Sequence, residues 1–419
     1  MLSSLRGTQD ILPDDIKYWH FIEEKARALF ENASYSEIRT PLIEQEELFQ
    51  RGIGEGTDVV NKEMYAFQDQ GHRDIVLRPE GTAGIARSFI QHRLFNLKNV
   101  NKLWYTGPMF RYERPQSGRQ RQFNQLGVEC LGLKDPQIDA EVIAIAYQFL
   151  SDLNIGEFKL EINNIGDNLA RQTYTQELRQ YLNQYESELD NDSLQRLDTN
   201  PLRILDSKSQ KTQKVLINAP DLFDFLDHNS KRHFETLCSY LNALQIPYCI
   251  NTRLVRGLDY YSDTAFEFKT SLLGGQDTIC GGGRYDDLIY NLGGPPTAAI
   301  GWAIGIERLL ILIKQNHKIS DNILDFYIIS ENILRCKIEA TVLFNKLIRI
   351  PNIKVEIDES KSTIRKKFKR AYKTKAQYSI VIGEREVTEG NIKIKNLRDN
   401  QQMSISLQQF LDNPKMLNF

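Results

Sequence analysis

Four short segments combine charged side chains, glycines and extended backbone in a way that packing alone does not require. In Arg78-Pro-Glu-Gly-Thr82, Pro79 and Gly81 punctuate a strand end, and Glu80 and Thr82 can point the same way. Taken alone, that segment is an ordinary polar turn. The stretch FRYERPQSGRQRQFNQLGVEC, residues 110–130, says more. Period-two alternation puts Phe123, Gln125, Gly127 and Glu129 on one face and Leu126, Val128 and Cys130 on the other. The apolar set takes the core, so the Gln and Glu line solvent or a polar cavity. Arg111 and Arg114, with Arg119 and Arg121 across a long loop, form a positive concavity beside that face, and arginine's planar donor fork suits phosphate oxygens. The alternative is a solvated hairpin of alternating charge.

The third segment is LVRGLDYY, residues 254–261, leading to CGGGRYDD, residues 280–287. Three consecutive glycines lose much backbone entropy on folding and mark either the close approach of a ligand or another backbone, or a flexible hairpin turn. No G-x-x-x-x-G-K-[ST] occurs, and no G-x-G-x-x-G opens a helix after a strand, so nucleotide binding needs another device. The fourth segment, GWAIGIERLL, residues 301–310, reads as the start of a helix running to about Ile313. Gly301 and Gly305 one turn apart would give it a smooth face against a sheet, with Arg308 near the other arginines. Its Glu307-Arg308 pair, in isolation, is a surface pair of little energetic worth.

The elements that must hold these segments follow from periodicity. Trp19, Ile22, Ala26, Leu29 and Phe30 make a helical stripe over residues 16–31, and a short strand at Ser36 to Arg39 stops before Pro41. Strands are expected at Leu103 to Thr106, Phe110 to Tyr112 and Phe123 to Cys130, the last two as a hairpin with a long charged loop; a helix through Ile138 to Phe149 and a strand at Phe158 to Ile162 follow. Residues 166–249 turn polar and helical, with weak apolar stripes that predict looser packing. Strands resume at Tyr248 to Leu254, Ala265 to Lys269 and Thr278 to Cys280, so one sheet domain spans 1–165 and 250–320 around a helical insertion at 166–249. After the polar stretch Lys314 to Asn322, residues 325–419 alternate β-α-β-α-β, add a last strand at Ile392 to Leu397 and end in a polar helix, a small doubly wound domain.

Bulk properties narrow the class. At 419 residues, 41% hydrophobic and 10% aromatic, the chain has apolar material for two or three domains. Cys130, Cys238, Cys249, Cys280 and Cys336 lie far apart, with no C-x-x-C and no histidine at ligand spacing, so neither a disulfide framework nor zinc is expected and a reducing compartment fits. MLSSLRGTQDILPDD has no apolar leader, and no apolar run reaches about twenty residues; no membrane partner is expected. The net charge of −2 excludes a uniformly basic coat, but STIRKKFKRAYKTK concentrates Arg365, Lys366, Lys367, Lys369, Arg370 and Lys373 with no acid between them, either an RNA-binding face or a solvated lysine face.

Together the segments resemble the class II aminoacyl-tRNA synthetases, and the histidyl-tRNA synthetase family in particular. Pro41 stands where motif 1 has its proline, FRYERP through QFNQLGVE is similar to motif 2, and GIER to motif 3. LVRGLDYY and GGGRYD resemble the two signature peptides of the histidine-specific enzymes, and RPEGT that family's amino-acid-binding strand. The likeness runs from LRGTQD to IVIGE and leaves only the helical insertion unsupported. Trp302 replaces the phenylalanine usual in motif 3 and Cys280 a common alanine, which bears on local packing only.

The resemblance implies an α+β fold: a six-stranded antiparallel class II sheet with flanking helices, the insertion, and a C-terminal α/β anticodon-binding domain. It implies a histidine-tRNA ligase working through a histidyl-adenylate, with ATP, L-histidine and tRNA(His) as substrates, Mg2+ bound with ATP, and homodimerisation through motif 1. Arg111 would hold the α-phosphate, Arg119 and Arg308 the γ-phosphate, and Glu113 would join the ATP site. Glu80, Thr82, Gln125, Glu129, Arg256, Tyr261 and Tyr285 would surround histidine, with Arg256, Arg111 and Gln125 catalytic; Arg256 would neutralise charge building on phosphorus. Arg114 and Gln116 would meet the acceptor end of the tRNA, and Arg365, Lys366 and Lys369 the anticodon. The rival on the same fold is the non-catalytic, histidine-binding regulatory subunit of ATP phosphoribosyltransferase, which lacks the C-terminal domain and erodes the motif arginines. The compartment expected is the cytoplasm, or the plastid stroma for an organelle-encoded chain.

Overall fold

The structure, a computed structural model, describes residues 2–54, 57–274, 277–319 and 324–413. Two compact units divide the chain, Met1–Lys318 and Ile319–Phe419. Residues 320–322 of the polar stretch expected after Lys314 lie outside the described residues.

In the first unit the strands are β1 (Ser36–Glu37), β2 (Ile43–Gln45), β3 (Tyr65–Gln68), β4 (Asp74–Leu77), β5 (Asn101–Phe110), β6 (Gln122–Leu131), β7 (Lys159–Asn164), β8 (Tyr248–Ile250), β9 (Ser262–Lys269), β10 (Thr278–Arg284) and β11 (Ala299–Gly305). Among the described residues they make a large sheet, ordered β1-β5-β6-β11-β10-β9-β7-β8, and a small one, β2-β4-β3. The six inner strands of the large sheet are antiparallel throughout, with β1 and β8 added parallel at the edges. That is the class II sheet the resemblance implies.

The pleat gives this sheet two unlike faces. Leu126, Val128 and Cys130 of β6, Ile300, Trp302 and Ile304 of β11, and Phe266 and Phe268 of β9 turn to one side, where they are buried against the helices Pro13–Asn32, Pro136–Asp152, His228–Ala243 and Ile306–Asn316. Trp302, the motif 3 departure, fits that core and donates its Nε1–H to Val142 O at 3.0 Å. The other face is floored by small residues. Glu129, Gly301, Gly283 and Ala265 share one cross-strand row, and Gly127, Ala303, Gly281 and Glu267 the next. Long side chains can therefore lie flat over the sheet.

Two expectations need correction. GWAIG is strand, not helix: residues 299–305 pair with both β6 and β10, and the helix starts at Ile306. A short run of apolar residues and glycines has no polar residue to mark its period, so helix and central strand look alike in sequence. The helical segment does not pack loosely throughout: helix His228–Ala243 buries Phe234, Leu237 and Leu241 in the main core. Helices Asn168–Asn183, Asn191–Thr199 and Gln210–Leu216 pack instead into a second cluster with the small sheet.

The second unit holds β12 (Phe326–Ser330), β13 (Val355–Ile357), β14 (Tyr378–Ile382), β15 (Asn391–Asn396) and β16 (Gln402–Ser406), ordered β13-β12-β14-β15-β16. The first three are parallel, as the β-α-β grammar requires, and β15-β16 is an antiparallel hairpin whose second strand the sequence reading missed. The basic helix runs Ile364–Lys373.

Candidate active site

A cleft of about 680 Å³ opens over the small-residue face of the large sheet, within the size range of small-molecule sites. Glu80, Thr82, Arg111, Glu113, Arg119, Gln125, Glu129, Arg256, Tyr261, Tyr285 and Arg308 all line it. Arg114 and Gln116 sit exposed on the β5-β6 loop outside it.

One end is acidic and closed. RPEGT is not strand: β4 stops at Leu77, and the segment turns into the helix Thr82–Gln91. Glu80 caps that helix, accepting the amides of Thr82 and Ala83 at 2.7 Å each. Thr82 Oγ1 donates to Glu129 Oε1 at 2.7 Å, and Tyr285 Oη donates to Glu129 Oε2. Glu129 is 1% exposed, and burial pushes its carboxyl up to about 8 against those two donors, with the Glu80 charge adding to the rise. It lies across β11 where a Cβ on Gly301 would fall 1.7 Å from its Oε2. Tyr260, Tyr261 and Tyr285 form an aromatic wall with centroids 4.6 and 5.6 Å apart. The Gln125 Oε1 is buried without a partner among the described residues.

The other end collects guanidinium groups. Arg111 donates from Nε to Pro79 O at 2.9 Å and stacks on Phe123, 5.4 Å from its centroid. Glu113 holds Arg119 at 3.1 Å and lies 3.9 Å from Arg111. Arg308 donates to Thr278 O; burial, then the like charge of Arg119, lowers its pKa. Arg256 pairs with Glu267, stands over Tyr261 at 5.4 Å, and keeps Nε buried and unpartnered among the described residues. A Cβ on Gly281 would land 2.2 Å from its Nη2, which is the physical reason for glycine at the first position of that triplet. At the second, a Cβ would strike Gly301 O at 2.3 Å, and at the third Thr264 O at 2.5 Å.

Several sequence assignments shift. Arg121 is not part of the concavity; it stacks 3.7 Å from the Tyr112 centroid and donates to Glu113 O at 3.2 Å. Glu307 is no surface ion-pair partner: it is 8% exposed and accepts the backbone amide of Asn124 at 2.9 and 3.1 Å, tying its helix to β6. In the second unit, Lys367 is buried and donates to Ser330 O at 2.8 Å, and Arg370 grips Asp358. Arg365, Lys366, Lys369 and Lys373 remain exposed on that helix.

The sequence reading missed Tyr260, Glu267 and the basic residues Arg196, Arg203 and Lys208, which the helical segment brings to the cleft. Glu267 carried a signal: Phe266 and Phe268 alternate with Glu267 and Lys269, so the two charges had to share the face opposite the core. Nothing in the local pattern of residues 196–208 pointed to the cleft.

Comparison with known proteins agrees over the full length. A family model described as histidyl-tRNA synthetase matches residues 7–309, and one described as anticodon binding domain matches residues 337–415. The chain is 51% identical over 408 residues to the chloroplastic histidine–tRNA ligase of Pyropia yezoensis, covering 97% of this chain and 94% of that one. It is 49% identical over 416 residues to the histidine–tRNA ligase of a Cyanothece species, covering 99% and 96%. A solved structure of apo histidyl-tRNA synthetase from S. aureus superposes with a TM-score of 0.82 at 37% identity, over 98% of this chain and 99% of that one.

Proposed function

The chain belongs to the histidyl-tRNA synthetase family, and from that premise we propose that the cleft activates L-histidine with ATP and passes the histidyl group to tRNA(His). The observation that carries the reading is the polarity of the cleft. A buried pair of carboxyl groups backed by tyrosines stands at one end and the guanidinium groups of Arg111, Arg119, Arg256 and Arg308 at the other, over a floor of small residues. An amino acid with a basic ring suits the first end and a triphosphate the second.

Histidine would lie with its α-ammonium toward Glu80, whose oxygens keep lone pairs beyond the two amides they accept. Glu129 and Tyr261 would address the imidazole nitrogens, with Thr82 and Tyr285 fixing the Glu129 carboxyl from both sides and a bound imidazolium favouring its ionised form. A pocket that satisfies both nitrogens leaves buried polar groups unpaired when an apolar isostere enters, and rejects it on that ground. The carboxylate of histidine is itself the nucleophile, so no general base is needed. It attacks the α-phosphorus, the bond to the bridging oxygen breaks and diphosphate leaves. Arg256 and Arg111 neutralise the charge that builds on the phosphoryl oxygens, and Gln125 orients the attacking carboxylate. Arg119, Glu113 and Arg308 would hold the outer phosphates. In the second step a terminal ribose hydroxyl of the tRNA attacks the acyl carbonyl and AMP departs.

Magnesium would arrive on the ATP phosphates. Such an ion keeps most of its waters and needs only one or two protein carboxylates. Glu113 and Glu267 line the cleft at the guanidinium end and are of the right chemistry. Arg114 and Gln116, exposed on the β5-β6 loop, would meet the acceptor stem, and the exposed Arg365, Lys366 and Lys369 would meet the anticodon. A homodimer through the Pro41 region, and a plastid stroma or bacterial cytoplasm, complete the reading. No helix among the described residues is long and apolar enough to cross a membrane. The retained arginines and the anticodon-domain match favour catalysis over the regulatory-subunit role.

The test is exchange of labelled diphosphate into ATP against each of the twenty amino acids, repeated with Arg256→Ala. Exchange with histidine alone, lost in the variant, is expected. Exchange with no amino acid would overturn the reading in favour of a histidine-binding regulatory protein.

A further inference from the structure

Behind the small-residue floor lies a cluster of buried charges that catalysis does not use. Arg284 and Asp139 have fully buried side chains and pair directly. Asp139, from helix Pro136–Asp152, also accepts Thr264 Oγ1 of β9 at 2.6 Å and is met by His233 Nε2 at 2.8 Å. His233 comes from helix His228–Ala243, the last helix of the segment between β7 and β8. Arg284 ends β10, and its guanidinium further reaches Leu133 O at 2.7 Å and Asp286 at 3.2 Å. Asp286 in turn accepts the amide of Ala299, the first residue of β11, at 3.0 Å. Four elements are thus tied to one guanidinium and one carboxylate.

A buried ion pair is weak evidence for stability, because desolvation of the two ions offsets their attraction. What this one fixes is geometry. Tyr285 follows Arg284 directly, its amide donates to Ala299 O at 2.8 Å, and its hydroxyl donates to Glu129. Clamped on both sides by Arg284 and Asp286, the end of β10 has no freedom to swing Tyr285 away. We propose that the Asp139–Arg284 pair, completed by His233, is a positioning device for histidine recognition, holding Tyr285 so that Glu129 presents a fixed acceptor to the imidazole. None of the three touches the cleft. The inference rests on the reading of Glu129 and Tyr285 as histidine contacts.

His233→Ala removes one of the three partners of Asp139 and spares the ion pair; His233→Gln restores a donor near the Nε2 position. The expected result is a histidine KM raised roughly three- to tenfold in His233→Ala, the scale of one hydrogen bond. The ATP KM and kcat should stay within about twofold, and His233→Gln should recover most of the loss. The pair itself is tested by Asp139→Leu with Arg284→Met, since apolar replacement of a buried pair commonly leaves a folded protein; it should melt cooperatively and show the larger histidine KM defect. Lowered melting temperature with an unchanged histidine KM in both variants would overturn the proposal and leave the cluster purely structural. Tyr285→Phe separates the two readings. If it leaves the histidine KM unchanged, the pocket assignment has failed; if it raises KM while the His233 and pair variants do not, the positioning inference has.

Discussion

Gly281→Ala should injure catalysis far more than folding. The added Cβ would stand 2.2 Å from Arg256 Nη2, 2.6 Å from Nη1 and 2.7 Å from Cζ, so its three nearest atoms are the far end of one side chain. Ordinary contact needs more than 3 Å, so the guanidinium must shift by roughly 1 Å, and a displacement of that size at a reacting centre costs about 10²-fold in rate. That corresponds to about 2.7 kcal/mol of transition-state stabilisation. Gly282→Ala, one residue on, is the contrasting case. Its Cβ would strike Gly301 O at 2.3 Å and Trp302 Cβ at 2.6 Å, where a paired backbone cannot yield. It should lose stability, by about 3 kcal/mol, as overpacked cores do. Burst-phase adenylate formation at saturating histidine and ATP reads the first effect, and thermal unfolding the second. Adenylate formation by Gly281→Ala within threefold of the wild-type rate would refute the assignment of Arg256, which would then tolerate displacement and could not be the cation on the phosphoryl group.

Burial of Glu129 has a pH signature. Its folded pKa of about 8 lies above its unfolded value, so between the usual carboxylate range and about pH 8 only the folded chain keeps the proton. Stability should fall across that window, by at most about 1.4 kcal/mol per unit, and level off above it; melting curves of Glu129→Gln, which cannot titrate, should gain on wild type from about pH 5 to 8 and run parallel beyond. Lys366→Ala with Lys369→Ala should weaken tRNA binding and reduce the slope of log affinity against log salt by about 1.5 in filter-binding titrations. Lys367→Ala, at a buried residue bonded to Ser330 O, should lower the melting temperature and leave that slope unchanged. Chelation of divalent cations should abolish diphosphate exchange, and magnesium should restore it.

Where one face of an element is buried and the other is not, the sequence could be read residue by residue. Gln125 to Cys130 alternates strictly, so its apolar and polar sides were legible in the sequence, and the structure makes the polar side, with Gln125 and Glu129, the cleft side rather than a solvated one. Residues 299–305 were harder to read, because the cleft face of that central strand is floored by glycine and alanine and carries no polar residue to mark its period. The same logic failed on the basic helix. Six cations without an acid read as one charged face, but Lys367 and Arg370 find partners on β12 and near Asp358, contacts set by tertiary approach.

The glycines explain why the motifs as a set were more legible than their roles. Gly281, Gly301 and Gly127 are fixed by what lies over them, Arg256, Glu129 and Tyr105 in turn. The Tyr105 hydroxyl is buried and has no partner among the described residues, wedged where Cβ atoms on Gly81 and Gly127 would fall 2.3 and 2.4 Å from its ring. From sequence, each glycine announces only a close approach. Which side chain approaches depends on cross-strand rows that join residues as far apart as Glu129, Gly301 and Gly283. The chemistry of this cleft is therefore written in pairs, a long charged or aromatic side chain and the glycine beneath it, and a substitution at either member should disturb the same step.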